Sequence, residues 1–195
     1  LPDLIRDFSE VLGADHRDSL KARHGLARLR LAQGQVDVAR EQLRDLLGTS
    51  EETLGAEHPD VVERFATLAR ASLDTDPEEA ASCCREAVDR SRAGLGWMAP
   101  RTIKVLLLEI EHLTSHSRWE PAEQALSEAL EEMLVDPGLE DVGVQRLFAT
   151  RLRCCLELNR VDLALAAIEA LDEIDELDPE VEEFLRAARE RVEVR

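Results

Sequence analysis

Apolar residues fall at steps of three and four along most of the chain, the spacing of one face of an α-helix. The clearest row runs Val36, Ala39, Leu43, Leu46. It returns as Pro77, Ala80, Cys84, Ala87, then as Trp119, Ala122, Leu126, Ala129, and again as Val161, Ala164, Ile168, Leu171. The alanines stand 41, 42 and 42 residues apart. A second stripe precedes each row: Leu26-Ala27 recurs as Leu68-Ala69, with Ile110 and Leu152 in the alanine's place later. Two amphipathic helices per period predict a series of helix hairpins. A small residue with larger apolar ones above it lets two helices cross closely at that level.

Polar turns punctuate the stripes. Gly34 and Asn159 suit the left-handed backbone that closes a helix C-terminus. Asp76 before Pro77, with Glu79 three residues after the cap, predicts a helix start, and Pro59, Pro100 and Pro179 fall where first helical residues belong. The one-residue shortfall between the first two alanines lies in the turn Asp74-Thr75-Asp76. Between hairpins runs Leu12-Gly13-Ala14-Asp15-His16-Arg17-Asp18, repeated as Leu54-Gly55-Ala56-Glu57-His58-Pro59-Asp60 and, degraded, as Leu95-Gly96-Trp97-Met98-Ala99-Pro100-Arg101. His16 and His58 recur with this loop and read as capping or packing residues.

A fixed period in this range marks a solenoid, in which each unit buries its apolar face only by stacking on its neighbours. The expectation is an all-α, single helical-repeat domain over 1–195. It comprises a partial repeat helix over 1–12, hairpins over 17–54, 59–95, 100–136 and 142–176, and a capping helix over 179–194. Leu1 and Leu4 align with Leu43 and Leu46, so the chain is expected to begin inside the second helix of an incomplete unit. Its apolar face would be covered in a longer parent protein or by another copy. Val181, Phe184, Leu185 and Ala188 give the last helix one apolar face.

The pattern resembles the tetratricopeptide repeat, in the 42-residue variety of kinesin light chains and large bacterial signalling proteins. The resemblance rests on Leu54-Gly55-x-x-His58-Pro59-Asp60, on Arg23-His24-Gly25-Leu26-Ala27 with Gly34-x-Val36-x-x-Ala39, and on Arg118-Trp119-Glu120-Pro121-Ala122-Glu123. It covers roughly residues 1 to 176. It implies a right-handed superhelical solenoid, a non-enzymatic interaction module, and a partner read by the first helix of each pair, which lines the concave face. Two positions depart from it: Glu109 and Arg151 stand where Leu26 and Leu68 keep the family's buried leucine. Either Leu106 and Phe148 take over that packing, or the charges pair between adjacent repeats, since a one-sided buried charge is costly.

Net charge sharpens this picture. At −18 the chain is a poor ligand for nucleic acid or for an anionic membrane surface. No apolar stretch is long enough to span a bilayer, and no basic-then-apolar leader opens the sequence. Basic residues are 22 Arg and 2 Lys, a bias read as bacterial. The four cysteines form adjacent pairs, Cys83-Cys84 and Cys154-Cys155, a spacing that neither chelates as C-x-x-C nor favours a disulfide. They are expected to be buried thiols of a cytoplasmic protein.

The charge is unevenly placed. First helices (17–33, 59–74, 100–117, 142–157) carry +4, −1, 0 and +2, and second helices (35–54, 77–95, 119–136, 161–176) carry −3, −1, −6 and −6. Groove positions are expected at Lys21, His24 and Arg28, then at Glu63, Ala66 and Arg70, at Lys104, Leu107 and Glu111, and at Arg146, Ala149 and Arg153. Lys21, His24, Arg28, Arg70, Lys104, Leu107, Arg146 and Arg153 form the expected partner-binding set, its cations guiding an acidic protein segment by charge-assisted hydrogen bonds.

His112 and His116 have a chelating spacing, but two ligands do not make a metal site. Phosphate loops, nucleophile elbows and H-E-x-x-H signatures are absent, so no enzyme activity, cofactor or metal is expected. The reading is a protein- or peptide-binding module, the sensor or docking region of a larger bacterial regulatory protein. The alternative is a scaffolding segment that homodimerises through its N-terminal helix.

Overall fold

A computed structural model of the chain describes residues 10–133 and 142–193, and these divide between two compact units, Leu1–Gly96 and Trp97–Arg195. The first unit holds α1 (Arg17–Ala32), α2 (Val36–Leu54), α3 (Pro59–Ser72) and α4 (Pro77–Leu95). The second holds α5 (Pro100–Ser115), α6 (Trp119–Met133), α7 (Val142–Glu157), α8 (Val161–Asp172) and α9 (Pro179–Glu193). No strand occurs among the described residues. In the first unit α1 pairs with α2 and α3 with α4, and α3 also touches α2 and α1. In the second, α5–α6 and α7–α8 are hairpins, α7 packs on α5 and α6, and α9 covers α7 and α8.

The alanine ruler marks the closest approaches. Ala39, Ala80, Ala122 and Ala164 are all completely buried, as are Leu43, Cys84 and Leu126, while Ile168 is nearly so. Each large apolar side chain buried here contributes on the order of 2 kcal/mol by its removal from water. All four cysteines are free and buried, and burial raises the Cys83 and Cys154 thiols to about 12.

Helix ends follow the turn chemistry. His16 and His58 cap α1 and α3 by accepting at Nδ1 from the backbone N–H of Asp18 and Asp60, at 3.2 and 3.1 Å. Gly34 (φ 76°) and Asn159 (φ 57°) take the left-handed conformation as expected, and Ser117 (φ 56°) does so as well. Asp76 caps α4 through the Glu79 N–H at 3.1 Å, but the reciprocal half of the capping box is not made. Glu79 instead turns its carboxylate to Arg40, Arg44 and Ser72.

The expected boundaries shift in places. Residues 10–12 are helical, whereas 1–9, with Leu1 and Leu4, lie outside the described residues, as do 134–141 and 194–195. Helix α8 stops at Asp172, four residues short of the expected 176, and Ile174 folds back as a buried residue. At α9, Val181, Leu185 and Ala188 are buried, as their spacing required, and Phe184 is half-buried. The two departures resolve in favour of repacking for the apolar part: Leu106 is completely buried and Phe148 almost so. Arg151 pairs with Glu123 on the preceding hairpin at 3.5 Å, and Glu109 is buried.

Candidate partner-binding face

Helix α1 is anchored by Ser19, Leu20 and Ala27, all fully buried, which leaves the adjoining stripe of Lys21, His24 and Arg28 beside α3. Lys21 and Arg28 are exposed and His24 is half-buried. On α3 the buried row includes Val61, Thr67, Leu68 and Ala71, and Arg70 emerges exposed. Ala66 is buried and so lines no open groove, while Glu63 is half-buried.

One hydrogen bond stitches the two first helices together, His24 Nε2 to Thr67 Oγ1 at 3.0 Å. The Thr67 hydroxyl spends its own proton on the Glu63 carbonyl at 2.7 Å, so His24 Nε2 is the donor and the ring is the Nε2–H tautomer. Burial, reinforced by the charges of Arg64 and Arg28, lowers His24 to about 4. At neutral pH it is an uncharged rivet. Arg17 Nε adds a looser contact to Asp60 at 3.6 Å.

Two sets of cations stand apart in this unit. Arg40, Arg44 and Arg90 are tied to carboxylates: Arg40 to Asp76 and Glu79 at 3.0 and 2.6 Å, Arg44 to Glu79 at 2.5 Å, Arg90 to Glu51 and Glu86 at 2.5 and 2.8 Å. Lys21, Arg28 and Arg70 have no ion pair within 4 Å among the described residues, and all three are exposed. A shallow pocket of about 140 Å³ lies in the same unit, lined by Arg23, Leu26, Gln42 and Asp45. The Arg23–Asp45 ion pair at 2.6 Å spans two of its lining residues.

The corresponding positions of the second unit are used differently. Lys104 is exposed without an ion pair among the described residues, and Leu107 is half-buried beside exposed Glu111. Arg146 reaches Glu180 on α9 at 3.3 Å. Arg153 lies over the Trp119 ring, 5.5 Å from its centroid, within cation–π range. Two of the four expected groove residues here thus serve contacts inside the unit.

Sequence reasoning passed over other residues. Arg64 on α3 is completely buried, and its Nε and Nη1 have no hydrogen-bond partner. Its only advance signal is that Val105 and Leu147 occupy the same repeat position. Gln145 is almost fully buried, donating to the Glu176 carbonyl at 3.0 Å and accepting from the Asp178 N–H at 2.8 Å, which fixes the approach to α9. His112 is buried and His116 exposed, their rings 4.6 Å apart, and His116 Nδ1 sits 2.9 Å from the His112 carbonyl. No group of three metal-ligating side chains occurs among the described residues. Trp97 is a buried packing residue.

Residues 19–60 match the profile of the tetratricopeptide repeat family. The matched stretch spans one period of the chain. Solved structures with the same fold include a kinesin light chain-like protein of Podosopora anserina built from nearly identical TPR-like repeats. That structure is 20% identical with a TM-score of 0.73, covering 96% of this chain and 83% of that one. A second structure of it, a singly substituted form, matches at 19% and 0.73, covering 100% and 85%. BtubC (BKLC) of P. vanneervenii matches at 19% and 0.64, covering 88% and 65%. The sequence matches none of the curated proteins. Tetratricopeptide repeats generally mediate protein–protein interaction and are typically non-enzymatic scaffolds. Among the described residues no helix is long and apolar enough to cross a membrane.

Proposed function

We propose that the α1–α3 face of the first unit docks an acidic segment of a protein partner, with Lys21, Arg28 and Arg70 as the contacting cations. The observation that carries this reading is the sorting of charges. Arg40, Arg44 and Arg90 are held by carboxylates, whereas these three are exposed with no ion pair among the described residues. An exposed guanidinium already desolvated on one side by a helix surface gains most from a carboxylate that arrives with the ligand. His24 sets the floor between the two helices as a neutral donor rather than as a fourth charge. The second unit by itself offers a face of the same kind at Lys104 and Leu107, with Arg146 and Arg153 held by Glu180 and Trp119 until a ligand competes for them. The Arg-rich composition and the four buried free thiols support placement in the cytoplasm of a bacterium, as the docking arm of a larger regulatory protein.

Charge reversal tests the site. With a fluorescent Glu-rich peptide as probe, R28E/R70E is expected to weaken binding by at least tenfold, on the scale of two lost charge-assisted contacts of ~1 kcal/mol each. Higher salt should weaken the wild type as well. Unchanged affinity in the variant would remove these residues from the site.

A further inference from the structure

Each unit contains a hairpin-to-hairpin latch built on a nearly buried charge, and the two latches have opposite polarity. In the first unit the cation comes from the earlier hairpin: Arg40 of α2, its side chain one-tenth exposed, bonds the α4 cap residue Asp76 at 3.0 Å, and also Glu79 at 2.6 Å and Thr75 at 2.9 Å. In the second unit the anion comes from the earlier hairpin. Glu123 of α6, its side chain 8% exposed, takes the α8 cap-position residue Arg160 at 2.8 Å and Arg151 of α7 at 3.5 Å. Arg40 and Glu123 each follow the ruler alanine, Ala39 or Ala122, and Asp76 and Arg160 each precede the first residue of a second helix. The positions are equivalent and the charges are exchanged. The same position carries Ala81 and Leu165 in the other two hairpins, so the latch is not a recurring feature of the repeat itself.

We infer that this exchange is a recognition code specifying which hairpin stacks on which, with the non-equivalent hairpins of another copy of the chain as the competitors it rejects. Four hairpins with one apolar ruler offer nearly interchangeable stacking faces, and exchange of like elements between copies is the standing hazard of such chains. Buried positions make the discrimination strong. Arg40 facing Arg160, or Glu123 facing Asp76, would set a nearly buried charge against a like one. The correct neighbour supplies a partner and the wrong one supplies a repulsion.

The test uses the whole chain. E123R/R151L/R160D gives the second unit the first unit's polarity, with the leucine that Leu68 supplies there. R40E/D76R/E79L gives the first unit the second unit's polarity. In each, both latches then read alike. E123Q/R151L/R160Q is the uncharged control. After refolding from urea at high protein concentration, light scattering coupled to gel filtration should show more dimer for either like-polarity chain than for the control. The chain carrying both sets of changes has opposite polarities again and should return to the wild-type monomer yield. Like-polarity chains as monomeric as the control would overturn the code, and so would failure of the combined chain to recover. The combined chain keeps the test open even if one set of changes alone prevents folding.

Discussion

Arg40 and Glu123 do the same job with opposite charge, and their surroundings show that the job is not done equally hard. Around Arg40 the network is dense: Glu79 also accepts from Arg44 and from Ser72 at 2.6 Å, so one carboxylate gathers three donors from α2 and α3. Around Glu123 it is looser, with Arg160 nearly half-exposed, Ser127 donating at 2.7 Å and Arg151 standing off at 3.5 Å. A buried charge shared among several hydrogen bonds is strongly held and expensive to orphan, whereas a charge with a solvated partner loses less when that partner goes. The first unit therefore concentrates its hairpin contact in polar bonds. The second relies more on apolar packing by Leu126, Leu130, Leu147 and Phe148.

Breaking the latches should expose this difference most clearly. R40M takes two of the three hydrogen bonds from the Glu79 Oε2 oxygen, leaving Ser72, and is expected to cost about 2–4 kcal/mol. E123Q keeps a hydrogen-bonding group beside Arg160 and should cost ~1–2 kcal/mol. Urea denaturation, with amide exchange read separately in α4 and α8, assigns each loss to its unit. Equal losses would erase the distinction.

Arg64 inverts the argument. The first unit holds a completely buried guanidinium where the second has Val105 and Leu147. Burial lowers its pKa, the neighbouring Asp60 opposes that shift, and Arg23 adds to it. A buried cation without hydrogen bonds at Nε and Nη1 is a net cost, and an apolar side chain of similar length is often better. R64L is expected to stabilise the protein by roughly 1–3 kcal/mol in the same denaturation assay. Destabilisation would mean that Asp60 depends on this cation.

Acid should act on the first unit in two stages. His24 has a folded pKa of about 4 against 6.5 ordinarily, so the unfolded chain binds its proton first. The associated stability is present above pH 6.5 and is lost as pH falls towards 4. At Glu79 burial alone would raise the pKa, but hydrogen bonds from Arg44, Ser72 and Arg40 outweigh it and hold the carboxyl at about 2, against 4.5. Its contribution is present above pH 4.5 and fades as pH falls to 2. H24Q should flatten the upper stage and E79Q the lower, in unfolding free energies measured from pH 7 to 2.5. A profile unaltered by either change would refute the assignment.

The repeat was legible because it rests on volume. Ala39, Ala80, Ala122 and Ala164 must be small where helices cross, and size is written in the residue type. The helix starts at Pro59, Pro100 and Pro179 were legible for a similar reason, since proline carries its own geometry. Latches were not. Arg40 and Glu123 sit on predominantly acidic second helices and read as solvated charges, and their partners lie 28 to 39 residues away on another hairpin. Only the stacking distance makes them pairs. For the candidate site, spacing gave the stripe at Lys21, His24 and Arg28. Which members were already engaged, His24 by Thr67 or Arg153 by Trp119, depends on contacts that no spacing encodes.

The smallest expected effect compares the two hairpin turns. Gly34 and Asn159 close α1 and α7 with nearly the same left-handed backbone, φ 76° and 57°. A Cβ added at Gly34 would meet no atom within 4 Å, so any cost of G34A is conformational rather than steric contact. Adopting that backbone costs an L-residue ~1 kcal/mol, and G34A should lose about that much. Asparagine tolerates the conformation better than most residues yet still pays part of it. N159G is therefore expected to gain a few tenths of a kcal/mol, with glycine's larger unfolded-state entropy cancelling the rest. Thermal melts of the two variants should shift in opposite directions. If both fall, the turn at Asn159 is held by its side chain and not by its backbone alone.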